Sequence, residues 1–477
     1  LHHNPHHPLH TTLHTMKSAR ISQFLACFQH QRPTHPPTGG AATILSTKST
    51  WDLFVATSIF TLCRFESLVN PVIGLLRDAT ENAGAAPPPS PLKCLLRPPL
   101  LALTKHTAFA HFCAGETFSD CQRSVAHMQR SHVSVLLDHS VEERESSADW
   151  SLNVANKIKL LHQCHDNHVH ILGIPVKPTA MISPHVLETM TQCIVHDENG
   201  DYDTHRHYAD QERNPLPRMS AHDLALYDEG FANLSQVCQA AAQCNISILL
   251  DAEQSHRQPA IDFICRRLQR TFNQRAPIVW NTYQMYMQCS GRRLVRDLQD
   301  SHTQGYRLSA KIVRGAYVMA EQDRSKNNVD WPYALWGNKE QTDRNYDASV
   351  ATIIASIAAA ENSNNAASIV IATHNRDSVE HALACMETWG LDVDDSRINF
   401  AQIMGMCDVL TLALGSLGYN SHKLILFGEF MEIFPWLLRR LDENKDMLGA
   451  AQLELDVLVA ELKRRIVDPV VVLKAKE

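Results

Sequence analysis

From about residue 132, short runs rich in β-branched and aliphatic residues recur along the chain, separated by helical stretches. The runs fall at residues 133–138, 170–177, 246–251, 277–281, 308–314, 368–373, 398–402 and 423–426. They are continuous apolar runs without the strict alternation of a half-exposed sheet, which is the pattern of parallel strands buried on both faces. Eight such runs interleaved with helices predict an α/β fold closed as a (β/α)8 barrel of the TIM type, with a doubly wound open sheet as the structural competitor.

Several runs end in or just before a polar residue: Lys177, Asp251, Gln284, Arg314, His374 and Gln402. In a barrel the C-terminal strand ends converge on one mouth, so these side chains would line a single site, whereas in an open sheet they would spread along an edge. Any one of them alone is also compatible with a polar cap on a strand end. Upstream the pattern changes. No acidic residue precedes Asp52, and Lys17, Arg20, Arg32 and Lys48 sit among Ser, Thr, His and Pro. That composition suits a mitochondrial transit peptide, with an ordinary disordered tail as the alternative. Residues 53–77 read as an apolar helical segment, and Pro87, Pro88, Pro89, Pro91, Pro98 and Pro99 as a linker. The expected organisation is therefore a transit or disordered segment over 1–51, an apolar helix and linker over 52–104, and a barrel domain over 105–470.

Composition narrows the function classes. The 477 residues carry 44 Lys plus Arg against 51 Asp plus Glu, a net charge of −7, which disfavours a phosphate-binding nucleic-acid surface. The 13 cysteines contain no C-x-x-C pair and suit free thiols in a reducing compartment. The uncharged apolar stretch at 53–63 is shorter than the roughly 20 residues that span a bilayer. The polar stretch 195–214 reads as an exposed insertion. Within it Asp197, Asn199 and Asp201 have calcium-loop spacing, but Tyr202 stands where Gly is needed and Tyr208 where a bidentate Glu belongs, so calcium is rejected. His162, Cys164, His165, His168 and His170 match no structural zinc spacing, and no metal is expected.

Neither G-x-G-x-x-G nor the P-loop signature occurs, so a nucleotide cofactor must be held another way. The run Lys311-Ile-Val-Arg-Gly-Ala-Tyr317 offers two cations at a strand end, followed by Gly315 and Ala316, which let backbone amides approach a flat, phosphorylated ligand. Near the C-terminus Arg439 and Arg440 lie on a predicted helix with Glu443. Adjacent arginines project about 100° apart, so both reach one carboxylate only if the helix crosses a pocket. Otherwise they form a solvated face with an Arg440–Glu443 pair.

Asp251-Ala-Glu-Gln254, Asn281-Thr-Tyr-Gln284, Lys311 to Tyr317, Ala372-Thr-His-Asn375, Phe400-Ala-Gln402 with Gly405-Met406, and Leu438-Arg-Arg-Leu-Asp-Glu-Asn444 occur in the order seen in proline dehydrogenases. Phe112-Cys-Ala-Gly-Glu-Thr117 and Leu136-Leu-Asp-His-Ser-Val-Glu142 look like the fungal and other eukaryotic forms. The resemblance covers residues 105–467. It implies a distorted (β/α)8 barrel with an N-terminal helical extension, FAD at the C-terminal mouth and a C-terminal helix over the flavin. It also implies a mitochondrial enzyme of the matrix or inner membrane that oxidises L-proline to Δ1-pyrroline-5-carboxylate and passes electrons to ubiquinone. With that acceptor, the apolar segment at 53–77 raises peripheral inner-membrane association as a separate expectation. By motif, Arg439 and Arg440 would clamp the substrate carboxylate, with Glu443 pairing an arginine. Lys177 matches the family's active-site lysine, Asp251 would organise the site, and Tyr317 would pack over the substrate ring. Gln284, Lys311, Val313, Arg314, Gly315, Ala316, Lys339, Thr342, Thr373, His374, Asn375 and Gln402 would contact the FAD.

Three positions depart from the family pattern. Leu424 and Trp436 stand where the family usually has tyrosines, and Val318 replaces an aromatic residue. These departures bear on the substrate rather than on the flavin. They keep open two further readings, a hydroxyproline dehydrogenase and a flavin-binding pseudoenzyme without turnover.

Overall fold

A computed structural model describes residues 19–28, 45–63, 74, 91–139, 146–196, 214–327, 334–360, 366–446 and 448–467. Eight parallel strands close in chain order: β1 Val133–His139, β2 Gly173–Val176, β3 Ser247–Leu250, β4 Val279–Gln284, β5 Ser309–Val313, β6 Ser368–Ala372, β7 Ile398–Ile403 and β8 Ser421–Phe427. The open-sheet competitor is excluded by the seam at which β1 pairs with β8 along seven residues, from Val133 opposite Ser421 to His139 opposite Phe427.

Alternation along the strands separates two cores. Leu136, Leu249, Trp280, Val370 and Ala401 point inward and fill the barrel, with Leu424 packed against them. Neighbours such as Val135, Leu137, Ile369 and Ile371 point outward into the layer beneath the surrounding helices. Strands buried on both faces need apolar residues at every position, which explains why the runs were visible as blocks. The ends differ where polar residues enter the strands. The fourth run extends through Thr282 to Gln284, both buried. The eighth begins at Ser421 because His422 faces inward and bonds Asn399 Oδ1 at 2.9 Å. The second is shorter than expected and starts at Gly173, after a turn in which His168 adopts φ 53°.

Outside the barrel, the helix Phe430–Asp446 seats Phe430, Ile433, Phe434, Leu437 and Leu438 on Leu426 of β8, on Met406 after β7 and on Phe109 and Phe112. It therefore lies against the C-terminal rim. Of the segment 1–51, two described parts are folded. The helix Ala19–Ala26 buries Ile21 and Phe24 in the outer layer, and Leu45 is fully buried with Leu53 and Phe60 against Leu455, Val457 and Leu458. The apolar segment expected over 53–77 is helical within Thr50–Cys63. The expected linker is helical from Pro91 to Thr104, with Pro98 and Pro99 inside it. Pro91 stands at the first helical position, where proline is tolerated, whereas Pro98 and Pro99 lie two turns in, each without an N–H to donate, and the following Leu100 and Leu101 pack on the rim cluster. The insertion at 195–214 lies outside the described residues apart from its edges.

Candidate active site

One half of the mouth gathers charge. Lys177 follows β2 with extended backbone, and Asp251 follows β3, donating its N–H to Val176 O at 2.9 Å. Lys311 of β5 donates from Nζ to Asp251 Oδ1 at 2.5 Å. Lys157, on the helix Ser147–Asp166, is buried and donates to Asp138 Oδ1, His139 O and Pro175 O at 3.1–3.2 Å. Asp138, Lys157, Lys177 and Asp251 line one cleft. Three ammonium groups against two carboxylates leave a net positive site. Such a site attracts a carboxylate and favours the neutral form of an amine held there.

Two buried carboxylates stitch the loop after β3 to its neighbours. Glu253 accepts from Thr179 N and Oγ1 at 3.1 and 2.9 Å, which fixes the turn after Lys177. Gln284 donates from Nε2 to Glu253 O at 2.7 Å. Glu321 accepts from Ser255 N at 2.7 Å and from its hydroxyl, while its own N–H donates to Tyr317 O at 2.9 Å. Tyr317 is half-buried. Burial, followed by the charges of Glu253 and Asp251, pushes its phenol well up, and Arg439 acts in the opposite direction. Tyr317 is therefore neutral, and its shift registers the charge of Arg439 across the mouth. Arg440 and Glu443 share the helix Phe430–Asp446, but their side chains lie outside the described residues.

The other half is a cradle at the ends of β5, β6 and β7. Gly315 adopts φ +124°, and a Cβ there would lie 2.0 Å from Tyr286 Cε1, so only glycine allows the chain to pass this ring. Val313 pairs with Gln284, and Ala316 beyond the glycine is exposed. Arg314 donates to Asp343 Oδ1 at 2.6 Å, Thr373 Oγ1 at 2.6 Å and Ser378 Oγ at 2.9 Å, with its guanidinium 4.5 Å from the Tyr346 ring centroid. Lys339, mostly exposed, reaches Asp343 Oδ2 at 2.5 Å. Burial alone would raise the Asp343 carboxyl, but the hydrogen bonds from Lys339 and Arg314 outweigh it and hold it below the usual range. Thr342 is turned back on its own helix, 3.4 Å from Asn338 O. Asn375 caps the helix Arg376–Thr388, His374 Nε2 accepts the Ile403 N–H at 3.1 Å, and Gln402 spans from Thr373 O to the Thr411 hydroxyl.

A phosphorylated, flat cofactor suits this half. Arg314 and Lys339 bring two cations to Asp343, burial pushes the neighbouring Asp347 carboxyl up, Gly315 leaves room for close approach, and the buried Tyr286 hydroxyl has no hydrogen-bond partner among the described residues. The structure thus brings Lys177, Asp251, Lys311 and Tyr317 together on one side and Arg314, Thr373, His374 and Gln402 on the other. Lys311 stands out because its visible partner is Asp251 rather than the cradle. Asp138, Lys157, Glu253, Asp343 and Glu321 were not singled out from sequence. Asp138, at the end of the first apolar run and inside the Leu136 to Glu142 motif, Asp343, four residues from Lys339 on a helix, and Glu253, inside the Asp251 motif, carried a local signal, whereas Lys157 and Glu321 did not. Of the departures, Leu424 sits inward opposite Leu136 and Ile403, Trp436 is half-buried on the rim helix, and Val318 packs on the outer layer. Among the described residues no three His, Cys, Asp or Glu converge as a metal site.

A parallel barrel whose polar groups gather at its C-terminal mouth, under a helix, defines the class: a (β/α)8-barrel enzyme. Residues 121–452 match the proline dehydrogenase family model. The chain belongs to the proline dehydrogenase family, which classes it with oxidoreductases acting on proline. It is 28% identical over 389 residues to proline dehydrogenase 1, mitochondrial, of Dictyostelium discoideum, covering 78% of this chain and 67% of that protein. It is 26% identical over 433 residues to hydroxyproline dehydrogenase of Xenopus laevis, covering 89% of each. Proline utilization A from Bdellovibrio bacteriovorus, inactivated by N-propargylglycine, shares the fold, with a TM-score of 0.64 at 15% identity over 89% of this chain. The chain spans 41% of that longer protein.

Proposed function

We propose that this chain oxidises L-proline to Δ1-pyrroline-5-carboxylate with a bound FAD and hands the electrons to ubiquinone. The observation that carries the reading is the division of one mouth into a cationic cleft and an adjoining glycine-lined cradle. Gln284, Lys311, Val313, Arg314, Gly315, Ala316, Lys339, Thr342, Thr373, His374, Asn375 and Gln402 would hold the FAD, which supplies a two-electron acceptor. Arg439 and Arg440 would anchor the substrate carboxylate, with Glu443 fixing one guanidinium. Lys177 and Lys311 favour the neutral amine, the form that can lose hydride from the adjacent carbon. Asp251, oriented by Lys311, sets the position of that amine. Tyr317 covers the ring, and the rim helix excludes water from the reacting carbon.

Hydroxyproline is the second substrate reading. It is favoured by Leu424 and Trp436 at the mouth and by the Xenopus relative, which matches along nearly its whole length. The mitochondrial matrix face of the inner membrane is the proposed location, since relatives are named mitochondrial. No described helix is long and apolar enough to cross a membrane, while Trp51 and Phe54 are exposed side by side on the helix Thr50–Cys63 and support peripheral contact. Anaerobic spectra of the full chain before and after L-proline test the reading. A flavin band that bleaches in the native protein and persists in the Arg439→Ala, Arg440→Ala variant is expected. A band bleached only by hydroxyproline selects the second substrate, a band neither bleaches marks a pseudoenzyme, and no band refutes the flavin site.

A further inference from the structure

Outside the mouth, Lys48, His111, Lys423 and Glu454, far apart in sequence, meet around Asp408. The residue is buried at the start of the helix Asp408–Ser416, directly after Cys407, a non-glycine residue held at φ 50°. Lys423 of β8 points out of the barrel. Its three donors go to Asp408 Oδ1 at 2.8 Å, Ile403 O at 3.0 Å and Met406 O at 2.6 Å. Lys48, from the N-terminal extension, pairs with Asp408 Oδ2. The Asp408 N–H donates to Glu454 Oε1 at 2.6 Å, on the helix Leu448–Val467. Arg465 of the same helix donates to Leu45 O and Lys48 O at 2.7 Å each, so the backbone of the extension is docked independently of the Lys48 side chain.

This cluster grips the loop that carries the cradle's third side. Ile403 N–H donates to His374, Cys407 Sγ lies 3.5 Å from His374 O, and Thr411, one turn after Asp408, holds Gln402. A left-handed Cys407 persists only if its surroundings over-determine it. Asp408 supplies that hold, provided that both of its oxygens face cations while Glu454 lies close by. With Lys48 gone, Asp408 Oδ2 would lose its cation beside Glu454, whose carboxyl burial and Asp408 push up to about 7, and among the described residues Lys423 would be the remaining ion-pair partner, because burial holds the neighbouring His111 neutral. Releasing the strained loop would be the relief. We propose that Lys48 is a positioning residue for the cofactor half of the site, acting through Asp408 on the loop that orients His374 and Gln402. The proposal rests on the flavin reading above.

The test uses the full-length holoprotein and its Lys48→Met, Lys48→Gln and Lys48→Arg variants. We would measure the half-time of FAD release on dilution, the visible circular dichroism of the bound flavin and far-ultraviolet dichroism. Lys48→Met is expected to release FAD about tenfold faster and to alter the visible band while far-ultraviolet dichroism is unchanged. Lys48→Arg should restore both within about twofold. Should Lys48→Met not fold, Lys48→Gln, which keeps a donor without the charge, carries the same expectation. FAD release and visible dichroism equal to those of the native protein in the charge-removing variants overturn the proposal. A native protein that holds no FAD overturns the flavin reading itself, and the proposal with it, before any variant is compared.

Discussion

Replacing Gly315 with alanine adds one carbon at the point where the chain passes Tyr286. The new Cβ would lie 2.0 and 2.1 Å from Tyr286 Cε1 and Cδ1, against at least 3.4 Å for ordinary contact. Ring and loop must therefore separate by about 1.4 Å. Tyr286 is 2% exposed and sits in the outer core, so displacing it incurs an overpacking cost of about 1–3 kcal/mol. Holding an alanine at φ +124° adds about 1–3 kcal/mol. The expected loss is about 2–6 kcal/mol, or a melting temperature lower by roughly 2–6 °C for a chain of this size. Because Arg314 precedes the glycine, the shift should also weaken flavin retention. Thermal unfolding and flavin content of Gly315→Ala, alone and in a Tyr286→Ala background, check this. The clash component should vanish in the double variant, leaving the two changes non-additive by about 1–3 kcal/mol. A single variant within about 0.5 kcal/mol of the native protein, or an undiminished cost without the ring, would refute the reasoning.

Asp251→Asn removes the anion that Lys311 faces. With flavin content unchanged, kcat/KM for the substrate should fall by about a hundredfold, and steady-state kinetics at matched flavin loading would expose an unchanged value. His111 and His422 are held down to about 4 chiefly by burial. Both are neutral when folded and gain protons when unfolded below about 6.5, so their contribution is complete above that pH and lost as pH falls toward 4. At pH 4 each should cost up to roughly 3 kcal/mol. Urea unfolding across pH 7 to 4 should show this slope, and His422→Gln should lose its share of it.

The barrel was legible because a strand buried on both faces leaves an uninterrupted apolar block in sequence, as at residues 133–138 and 368–373. Blocks fail where the barrel interior is polar, which is why His422 and Gln284 blurred the ends of β8 and β4. The tight passage at the end of β5 was legible for a related reason, since Arg314 and Gly315 are neighbours in the chain and form one local motif, whereas Lys311 of the same run turns to Asp251 instead. What stayed hidden was the support. Glu253 acts on Thr179, Glu321 on Ser255, Lys157 on Pro175 and Lys48 on Asp408. Such pairs are set by the closed topology, and no local spacing reveals them. The rim helix was readable as a helix, but its seat on the rim depends on Phe430 and Phe434 meeting Phe109 and Phe112 from the segment before β1.

The seam between β1 and β8 has a consequence for how the chain is made. Its first and last strands meet in seven-residue register, whereas β1 and β2 share a single register pair. A nascent chain emerging from the ribosome therefore exposes β1 as an open edge until β8 has been synthesised nearly three hundred residues later. At about 5–20 residues per second that interval lasts tens of seconds. An apolar strand left with unpaired backbone for that long invites pairing with other chains. Biogenesis should thus depend on a chaperone that shields residues 133–139, and truncation before residue 421 should yield aggregates rather than a smaller folded barrel.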